Sequence, residues 1–180
     1  DAACEFLSKE KNALMLDQFS NEGNPWAHEM TTGPEIISQI PEGKKAAAFV
    51  AGFGTGGTIS GVGRVLRREF PDIRIIAVEP LSSPLVTEGR AGPHKVQGIG
   101  ANFVPKNLDK GVVTAFERVS DEDALNTAKW LASEEGLFSG ISTGANVWAA
   151  LQEAKSLPKE SVVVTVQPDR GDKYLSIFSA

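Results

Sequence analysis

Short apolar runs that alternate with helix-like segments constrain this chain more than any other feature of its sequence. Two runs, Ala46–Ala51 and Arg74–Glu79, carry apolar residues at consecutive positions, and a third extends over Ser161–Val166. Continuous apolar runs of this length are typical of strands buried on both faces of a parallel sheet. Segments with helical spacing follow, beginning for example at Gly57 and Gly140. We therefore predict an α/β fold with a mainly parallel, twisted sheet flanked by helices.

Glycine, proline and serine mark where the predicted helices begin and end. A helix over Gly57–Glu69 follows the first apolar run, and Ser120, with an acid three residues later, caps the start of another. Gly136 ends that helix, since glycine is common just beyond a helix C-terminus. Gly33-Pro34 puts proline in the first turn of a helix over Thr31–Ile40, where no hydrogen bond is lost.

The rest of the chain gives weaker signals. Asp1–Lys11 has the spacing of the end of a helix, and we interpret Asn12–Phe19 as a short strand. Asn21–Pro25 combines Asn, Gly and Pro, which favour a turn. The segment Pro80–Val119 has no regular period, so we predict a loop-rich connection there. A last helix is predicted over Gly140–Leu157, followed by the third strand.

Charge and cysteine content exclude several classes of protein. The 180 residues carry a net charge of −5 without clustered Lys and Arg, so we expect no nucleic-acid partner. The single cysteine, Cys4, excludes an internal disulfide and a four-cysteine zinc site, and we interpret it as structural. No apolar run approaches the ~20 residues of a membrane span. These observations favour a cytoplasmic chain without a membrane partner.

The most informative segment is the glycine-rich loop Gly52-Phe53-Gly54-Thr55-Gly56-Gly57-Thr58, between a predicted strand and a predicted helix. Glycines let the backbone approach an anion closely, and the helix that follows presents free N–H groups and the positive end of its dipole. Thr55 and Thr58 add hydroxyl donors. The loop therefore predicts a phosphate site, and the alternative is a tight strand-to-helix turn that binds nothing.

A dinucleotide site is a second interpretation of the same loop. Gly52, Gly54 and Gly57 satisfy G-x-G-x-x-G, and Glu79 follows Gly57 by about twenty residues, where that fingerprint places its ribose-binding acid. An NAD(P)-binding domain is therefore an alternative. A nucleoside-triphosphate P-loop is excluded, because no Gly-Lys-Ser/Thr follows the loop.

Further motifs favour pyridoxal phosphate. Gly54-Thr55-Gly56-Gly57-Thr58 resembles the phosphate loop of the pyridoxal-phosphate β-replacement enzymes, specifically the cysteine synthase (O-acetylserine sulfhydrylase) family. Other stretches resemble motifs of that family in the same order: Gln18–Pro25 with Thr32–Ile36, Gly92–Ala101, Gly140–Ala145 and Gly171–Ser176. The resemblance covers nearly the whole chain. It implies a tryptophan synthase β-like fold and pyridoxal 5′-phosphate as cofactor.

The resemblance also implies a role for individual residues. The cofactor phosphate would be held by backbone amides and hydroxyls of Gly54, Thr55, Gly56, Gly57 and Thr58. Ser142 would place its hydroxyl against the pyridine nitrogen. The alternative is a structural role as the N-cap of a helix. Gln18 matches a residue near the substrate carboxylate, and Gly98 and Ile99 match a segment bordering the substrate. Their alternatives are an exposed amide and a plain loop.

Partners and domains follow from the same resemblance. It implies a small amino-acid substrate, a homodimer, and the C-terminal tail of a serine acetyltransferase docking near His94 and Lys95, which are otherwise solvated basic residues. His28 matches a histidine near the entrance of the cleft, and its alternative is a surface histidine. Residues 1–30 would be the remnant of a smaller N-terminal domain and linker, and residues 31–180 the large cofactor-binding domain.

Two family motifs have no counterpart in this sequence. The Ser-x-Lys-Asp-Arg-type motif with the cofactor-binding lysine is absent, as is the Thr-Ser-Gly-Asn-Thr loop that binds the substrate carboxylate. We therefore expect an N-terminal portion to be missing, no catalytic lysine in this chain, and no activity of the chain alone. Asp169-Arg170 favours a branch that uses other sulfur donors.

The function implied is replacement of the acetate of O-acetylserine by sulfide, which gives cysteine. A cystathionine β-synthase-type enzyme, which uses homocysteine instead of sulfide, is an alternative. A non-catalytic binding module is another alternative, beside the NAD(P)-binding domain.

Overall fold

A computed structural model describes residues 2–10 and 12–178. Its elements follow in this order along the chain: α1 (Ala2–Lys9), α2 (Gly23–Met30), α3 (Thr32–Gln39), β1 (Ala46–Gly52), α4 (Gly57–Glu69), β2 (Arg74–Pro80), α5 (Leu85–Glu88), β3 (Ala115–Val119), α6 (Asp121–Glu134), α7 (Ile141–Lys155), β4 (Val162–Thr165), a 3₁₀ helix (Gly171–Tyr174) and α8 (Leu175–Phe178). Strands and helices alternate through the middle of the chain, which confirms the predicted α/β class.

The four strands form a parallel sheet in the order β3-β2-β1-β4. The chain leaves β1 through α4 to reach β2 on one side, and it returns from β3 through α6 and α7 to β4 on the other. The direction of winding therefore reverses between β1 and β4. In open α/β sheets, ligands bind at such a reversal, beyond the carboxyl ends of the strands.

Alternate residues of β1 explain why its apolar run is continuous. Phe49 and Ala51 belong to a core that includes Ile59 and Leu66 of α4. Ala48 and Val50 belong to a second core that includes Ile141 and Ala145 of α7. Each face of the strand is thus covered by a helix, and burying a side chain of the size of Phe49 contributes roughly 1.5–3 kcal/mol.

Several predicted boundaries are confirmed. The first glycine-led helix covers Gly57–Glu69 as predicted. Ser120 caps α6 through a hydrogen bond from the Asp123 amide to its hydroxyl, and Gly136, with φ of +68°, follows the end of that helix. Pro34 lies in the first turn of α3.

The N-terminal predictions need correction. Asn12–Phe19 forms no strand, since it has no partner strand among the described residues and Leu14 is 84% exposed. The predicted turn over Asn21–Pro25 runs directly into α2, because Pro25 stands in the first turn of that helix, where proline is tolerated. The predicted helix end over Asp1–Lys11 is α1, with Asp1 and Lys11 outside the described residues.

Two predictions about strands also need correction. The connection predicted to be irregular contains β3, whose partly buried Glu117 and exposed Arg118 break the apolar pattern because it is the last strand on its side of the described sheet. The third predicted strand is shorter than expected and only partly buried, since β4 is the last strand on the opposite side.

Candidate functional site

The glycine-rich loop lies where β1 ends and α4 begins, at the carboxyl edge of the sheet. Gly56 is the N-cap of α4 with φ of +84°, a conformation that strongly favours glycine. The amides of Gly54, Thr55 and Gly56 form no hydrogen bond with any described residue. Together with the first-turn amides of α4, they form a group of donors at the positive end of a 13-residue helix.

Close backbone neighbours explain two of the loop glycines. A Cβ added at Gly54 would lie 2.6 Å from the Gly98 carbonyl oxygen. One added at Gly56 would lie 2.7 Å from the Leu108 amide nitrogen. The loop therefore packs against two later segments of the chain as well as leaving its amides open.

Both threonines of the loop have hydrogen-bond partners on α2. Thr55 Oγ1 accepts from Asn24 Nδ2 at 2.9 Å and from the Gly57 amide at 3.3 Å. Thr58 Oγ1 lies 3.1 Å from Nε2 of His28, and the other ring nitrogen lies 2.9 Å from Thr32 Oγ1. Partial burial lowers the pKa of His28 below its ordinary value, so its imidazole is neutral at pH 7.

Gln18 lies next to this loop, and its backbone is held in place there. Its carbonyl oxygen accepts from Asn24 Nδ2 at 2.8 Å and from Asn107 Nδ2 at 2.9 Å. Its side chain is exposed. The same asparagine, Asn24, thus contacts both Gln18 and Thr55, so the two motifs form one local unit.

Gly98 and Ile99 join the loop to the start of α7. Besides the close approach of the Gly98 carbonyl to Gly54, the Gly100 amide donates to the Phe53 carbonyl at 3.2 Å. Ile99 is buried, and a Cβ at Gly52 would lie 2.7 Å from its Cγ2. Gly98 has φ of +94°, and a Cβ added there would lie 3.7 Å from Ser142 Oγ in α7.

Ser142 lies in the first turn of α7 and is 3% exposed. Its hydroxyl forms no hydrogen bond with a described residue. The alternative role as helix N-cap is wrong, because Gly140 holds that position and no side chain caps the helix. Two neighbouring hydroxyls, Ser139 Oγ and Thr143 Oγ1, are buried and also lack partners among the described residues.

Asp169 and Tyr174 support this second helix start. The Gly140 amide donates to the Asp169 carbonyl oxygen at 3.2 Å, and the Tyr174 hydroxyl donates to Asp169 Oδ2 at 2.6 Å. That hydrogen bond, followed by burial and the negative charge of Asp169, raises the pKa of Tyr174 to about 12.

Glu79 has no role at the loop. It is 1% exposed, and its carboxylate accepts from the amides of Val86 and Thr87 and from the Thr87 hydroxyl. A ribose would have to displace these buried hydrogen bonds, each of which costs free energy to break. The geometry therefore argues against the dinucleotide interpretation.

His94 and Lys95 line an open pocket of about 560 Å³ with Asp121 and Lys129. The ring of His94 contacts the Gly100 carbonyl oxygen through Nε2 at 3.0 Å, and the Lys95 amide donates to Asp121 Oδ1 at 2.9 Å. His94 therefore contacts the Gly98–Gly100 segment, whereas Lys95 is held at the start of α6.

Sequence reasoning missed three asparagines that assemble the site. Asn24 and Asn107 hold the Gln18 carbonyl, and Asn146 accepts from the Gly52 amide at 2.7 Å while donating to the Val166 carbonyl at 2.9 Å. Asn146 follows Ser142 by one helical turn, a spacing that could have suggested a shared face. Asn107 lies in an irregular segment and carried no signal.

Other kinds of site were also sought within residues 2–10 and 12–178. No group of three or more His, Cys, Asp and Glu side chains there could hold a metal ion. No helix in that part of the chain is long and apolar enough to cross a membrane.

The hydrogen-bond donors of the loop fit a phosphate group. Its unpaired amides, two threonine hydroxyls and a helix N-terminus are the groups that bind phosphate in proteins. The unpartnered hydroxyl of Ser142 fits a neutral nitrogen acceptor such as that of a pyridine ring. Residues 1–169 match the family described as "Pyridoxal-phosphate dependent enzyme". The chain belongs to this family, whose members use pyridoxal phosphate.

Within that family, individual relatives confirm the resemblance to cysteine synthases. The chain is 48% identical over 170 residues to "Cysteine synthase" of Staphylococcus aureus (strain Mu50), covering 94% of this chain and 54% of the relative. It is similar in structure to O-ureido-L-serine synthase, with a TM-score of 0.92 and 40% identity over 97% of this chain and 55% of that one. It is also similar in structure to an O-acetylserine-dependent cystathionine β-synthase from Helicobacter pylori, with a TM-score of 0.88 and 40% identity, covering 97% of this chain and 56% of that one. The chain spans about half the length of these proteins.

Proposed function

We propose that this chain is the larger part of a cysteine synthase-like enzyme that replaces the acetate of O-acetylserine with sulfide. The observation that carries the proposal is the convergence of three motifs, Gly54–Thr58, Gly98–Ile99 and Ser142, at the carboxyl edge of one parallel sheet. They are far apart in sequence, and they meet at the edge of the sheet where open α/β folds bind their ligands.

When bound, pyridoxal phosphate supplies an electron-withdrawing ring that helps an amino-acid substrate to lose the group on its β-carbon. The chain's own residues hold and orient that group. The amides of Gly54, Thr55, Gly56 and Thr58, with the hydroxyls of Thr55 and Thr58, would bind the phosphate, and Gly57, whose amide donates to Thr55 Oγ1, would hold that hydroxyl in place. Ser142 would offer a neutral hydroxyl to the ring nitrogen, and such a partner would not favour the protonated form of that nitrogen. Gln18, Gly98 and Ile99 would border the amino-acid substrate.

The choice of nucleophile separates two candidate reactions. The relatives above carry names that specify different products, although their folds superpose closely on this chain. We propose sulfide as the nucleophile because of the similarity to cysteine synthase. A cystathionine β-synthase-type reaction, with homocysteine as the nucleophile, is the second candidate. Asp169-Arg170 supports a branch that accepts other sulfur donors, and competition among sulfide, thiosulfate and homocysteine in the whole enzyme tests this.

A catalytic lysine is not expected in these 180 residues, since the Ser-x-Lys-Asp-Arg-type motif is absent. We propose that the chain by itself binds the cofactor without turning over substrate. Borohydride treatment in the presence of pyridoxal phosphate, followed by peptide mass spectrometry, should label no single lysine. Specific labelling of one lysine would contradict this.

We further propose a cytoplasmic homodimer with a serine acetyltransferase tail as partner near His94 and Lys95. Exposed apolar side chains, such as those of Leu16 and Trp26, supply surface for a second copy. The proposed domain division lies at residue 30, with α2 as the joining segment. Sedimentation of the chain, and binding of an acidic C-terminal peptide to it, test these partners.

Binding of pyridoxal phosphate compared with pyridoxal tests the cofactor proposal. Calorimetry on the 180-residue chain should give tighter binding of the phosphorylated form, and Thr58→Val should reduce that preference. Thr31→Val is the matched control, because Thr31 donates its hydroxyl proton to the Ala27 carbonyl and does not face the loop. Tight binding of NADH that is lost in Glu79→Ala would instead support the dinucleotide alternative.

A further inference from the structure

Helix α2 presents two polar side chains, one turn apart, to the two threonines of the phosphate loop. Asn24 contacts Thr55 and His28 contacts Thr58. Residues four apart lie on the same face of a helix, so both contacts come from one side of α2. The close packing of the two helices explains the reach, because a Cβ at Gly61 of α4 would lie 2.8 Å from the Cβ of His28.

The hydrogen bonds of Asn24 determine where the proton of Thr55 can go. The Gln18 carbonyl oxygen can only accept, so the nitrogen of the Asn24 amide must face it, at 2.8 Å. The second hydrogen of that nitrogen then faces Thr55 Oγ1, which also accepts from the Gly57 amide. A hydroxyl oxygen has two acceptor sites, and both are used. The Thr55 proton is therefore left for a group outside these contacts.

The tautomer of His28 decides the same question for Thr58. Both ring nitrogens face hydroxyl groups, at 2.9 Å for Thr32 and 3.1 Å for Thr58, so the distances allow either neutral tautomer. With the proton on Nε2, His28 accepts from Thr32 and donates to Thr58, whose own proton stays free. With the proton on Nδ1, Thr58 must donate to the ring and has no proton to offer a ligand.

We propose that Asn24 and His28 are positioning residues that turn the hydroxyl protons of Thr55 and Thr58 toward the phosphate of the cofactor. This inference rests on the proposed function, since it takes that phosphate as the guest of the loop. Hydroxyl donors that are already oriented gain a charge-assisted hydrogen bond without reorganising on binding. Phosphate binding selects the His28 tautomer that carries its proton on Nε2.

The first test measures dissociation constants of pyridoxal phosphate and pyridoxal for the 180-residue chain and its variants. His28→Leu and Asn24→Leu should each weaken pyridoxal phosphate binding about tenfold, because an oriented bond to a charged group is lost, and leave pyridoxal binding nearly unchanged. His28→Gln, whose amide nitrogen can occupy the position of Nε2, should restore much of the loss. Thr31→Val should behave as the unchanged chain does.

Double variants separate an effect on the threonine from a general structural effect. If His28 acts through Thr58, adding His28→Leu to Thr58→Val should weaken phosphate binding no further, and Asn24→Leu should likewise add nothing to Thr55→Val. Additive losses would overturn the inference. If the unchanged chain does not prefer the phosphorylated ligand, the proposed function fails too. A preference that survives His28→Leu and Asn24→Leu contradicts the inference alone.

A spectroscopic test needs no substitution at the site. The chain has two histidines, so ¹⁵N-histidine labelling gives two ring systems, and His94→Gln assigns them. With pyridoxal phosphate bound, His28 should show a protonated Nε2 and an unprotonated Nδ1. A neutral ring protonated on Nδ1 in the bound state would refute the inference.

Discussion

Two helices of this chain, α4 and α7, begin at the carboxyl edge of the same sheet with a glycine N-cap. The hydroxyl groups near the two starts differ in their hydrogen bonding. At the start of α4, Thr55 and Thr58 are both hydrogen-bonded to side chains of α2. At the start of α7, Ser139 and Thr143 hold buried hydroxyls without partners among the described residues. The hydroxyls of the first start are thus fixed by neighbouring side chains, whereas those of the second are neutral groups whose hydrogen bonding is incomplete.

The largest expected effect is on stability, at one glycine in the first turn of each helix, Gly57 in α4 and Gly144 in α7. A Cβ at Gly144 would collide with backbone atoms of α6, which cannot move aside, whereas one at Gly57 would collide with the side-chain amide of Asn24, which can rotate away at the cost of its hydrogen bonds. Overpacking costs roughly 1–3 kcal/mol, and 1 kcal/mol changes Tm by about 2–4 °C in a chain of this size. We expect Gly144→Ala to lower Tm by roughly 5–10 °C and Gly57→Ala by less. Equal losses in calorimetric scans would remove the distinction.

Threonine-to-valine substitutions at the two helix starts should change the free energy of unfolding in opposite directions. Thr55→Val removes the acceptor of the Gly57 amide and one of the two acceptors of Asn24 Nδ2, which keeps the Gln18 carbonyl, so unfolding free energy should fall by about 1–3 kcal/mol. Thr143→Val removes a buried hydroxyl that has no described partner, so stability should rise by about 1 kcal/mol. Urea titrations of both variants measure the two changes, and a loss at position 143 would reveal a partner for that hydroxyl.

The titration of Tyr174 sharpens the description of the second helix start. The chain has one tyrosine, so ultraviolet absorbance reports its ionisation alone, with an expected midpoint near pH 12. Since the folded pKa lies above the ordinary value of about 10, Tyr174 adds stability below pH 10 that is lost as the pH rises toward 12. Asp169→Asn should move the midpoint back toward 10. An unchanged midpoint would mean that Asp169 is not the cause.

The smallest expected effect is the pH dependence contributed by His28 at the first helix start. Burial lowers its pKa, so the unfolded chain binds a proton more readily than the folded one. Its contribution is complete above the unfolded pKa of about 6.5 and is lost as the pH falls below it. Chemical denaturation across that range should show the slope, and His28→Gln should reduce it. A slope of the opposite sign would mean that a neighbouring carboxylate raises the pKa of His28 by more than burial lowers it.

The sequence predicted the elements whose signal is local and missed those that depend on contacts between distant segments. The bounds of α4 and the cap of α6 follow from glycine and serine chemistry within a few residues. Strand β3 escaped detection because a half-exposed strand at the side of a sheet has no continuous apolar run. The candidate site divides in the same way: the loop and Ser142 lie in motifs, but Asn107 contacts Gln18, which lies 89 residues earlier in the chain.

The position of the cofactor phosphate tests the account most directly. A crystal structure of the 180-residue chain with pyridoxal 5′-phosphate should place the phosphate on the amides of Gly54–Thr58, with the hydroxyls of Thr55 and Thr58 donating to it. It should also place the ring nitrogen against the hydroxyl of Ser142. A phosphate bound elsewhere, or a ring that approaches the loop with Ser142 out of reach, would contradict the assignment of both helix starts to one ligand.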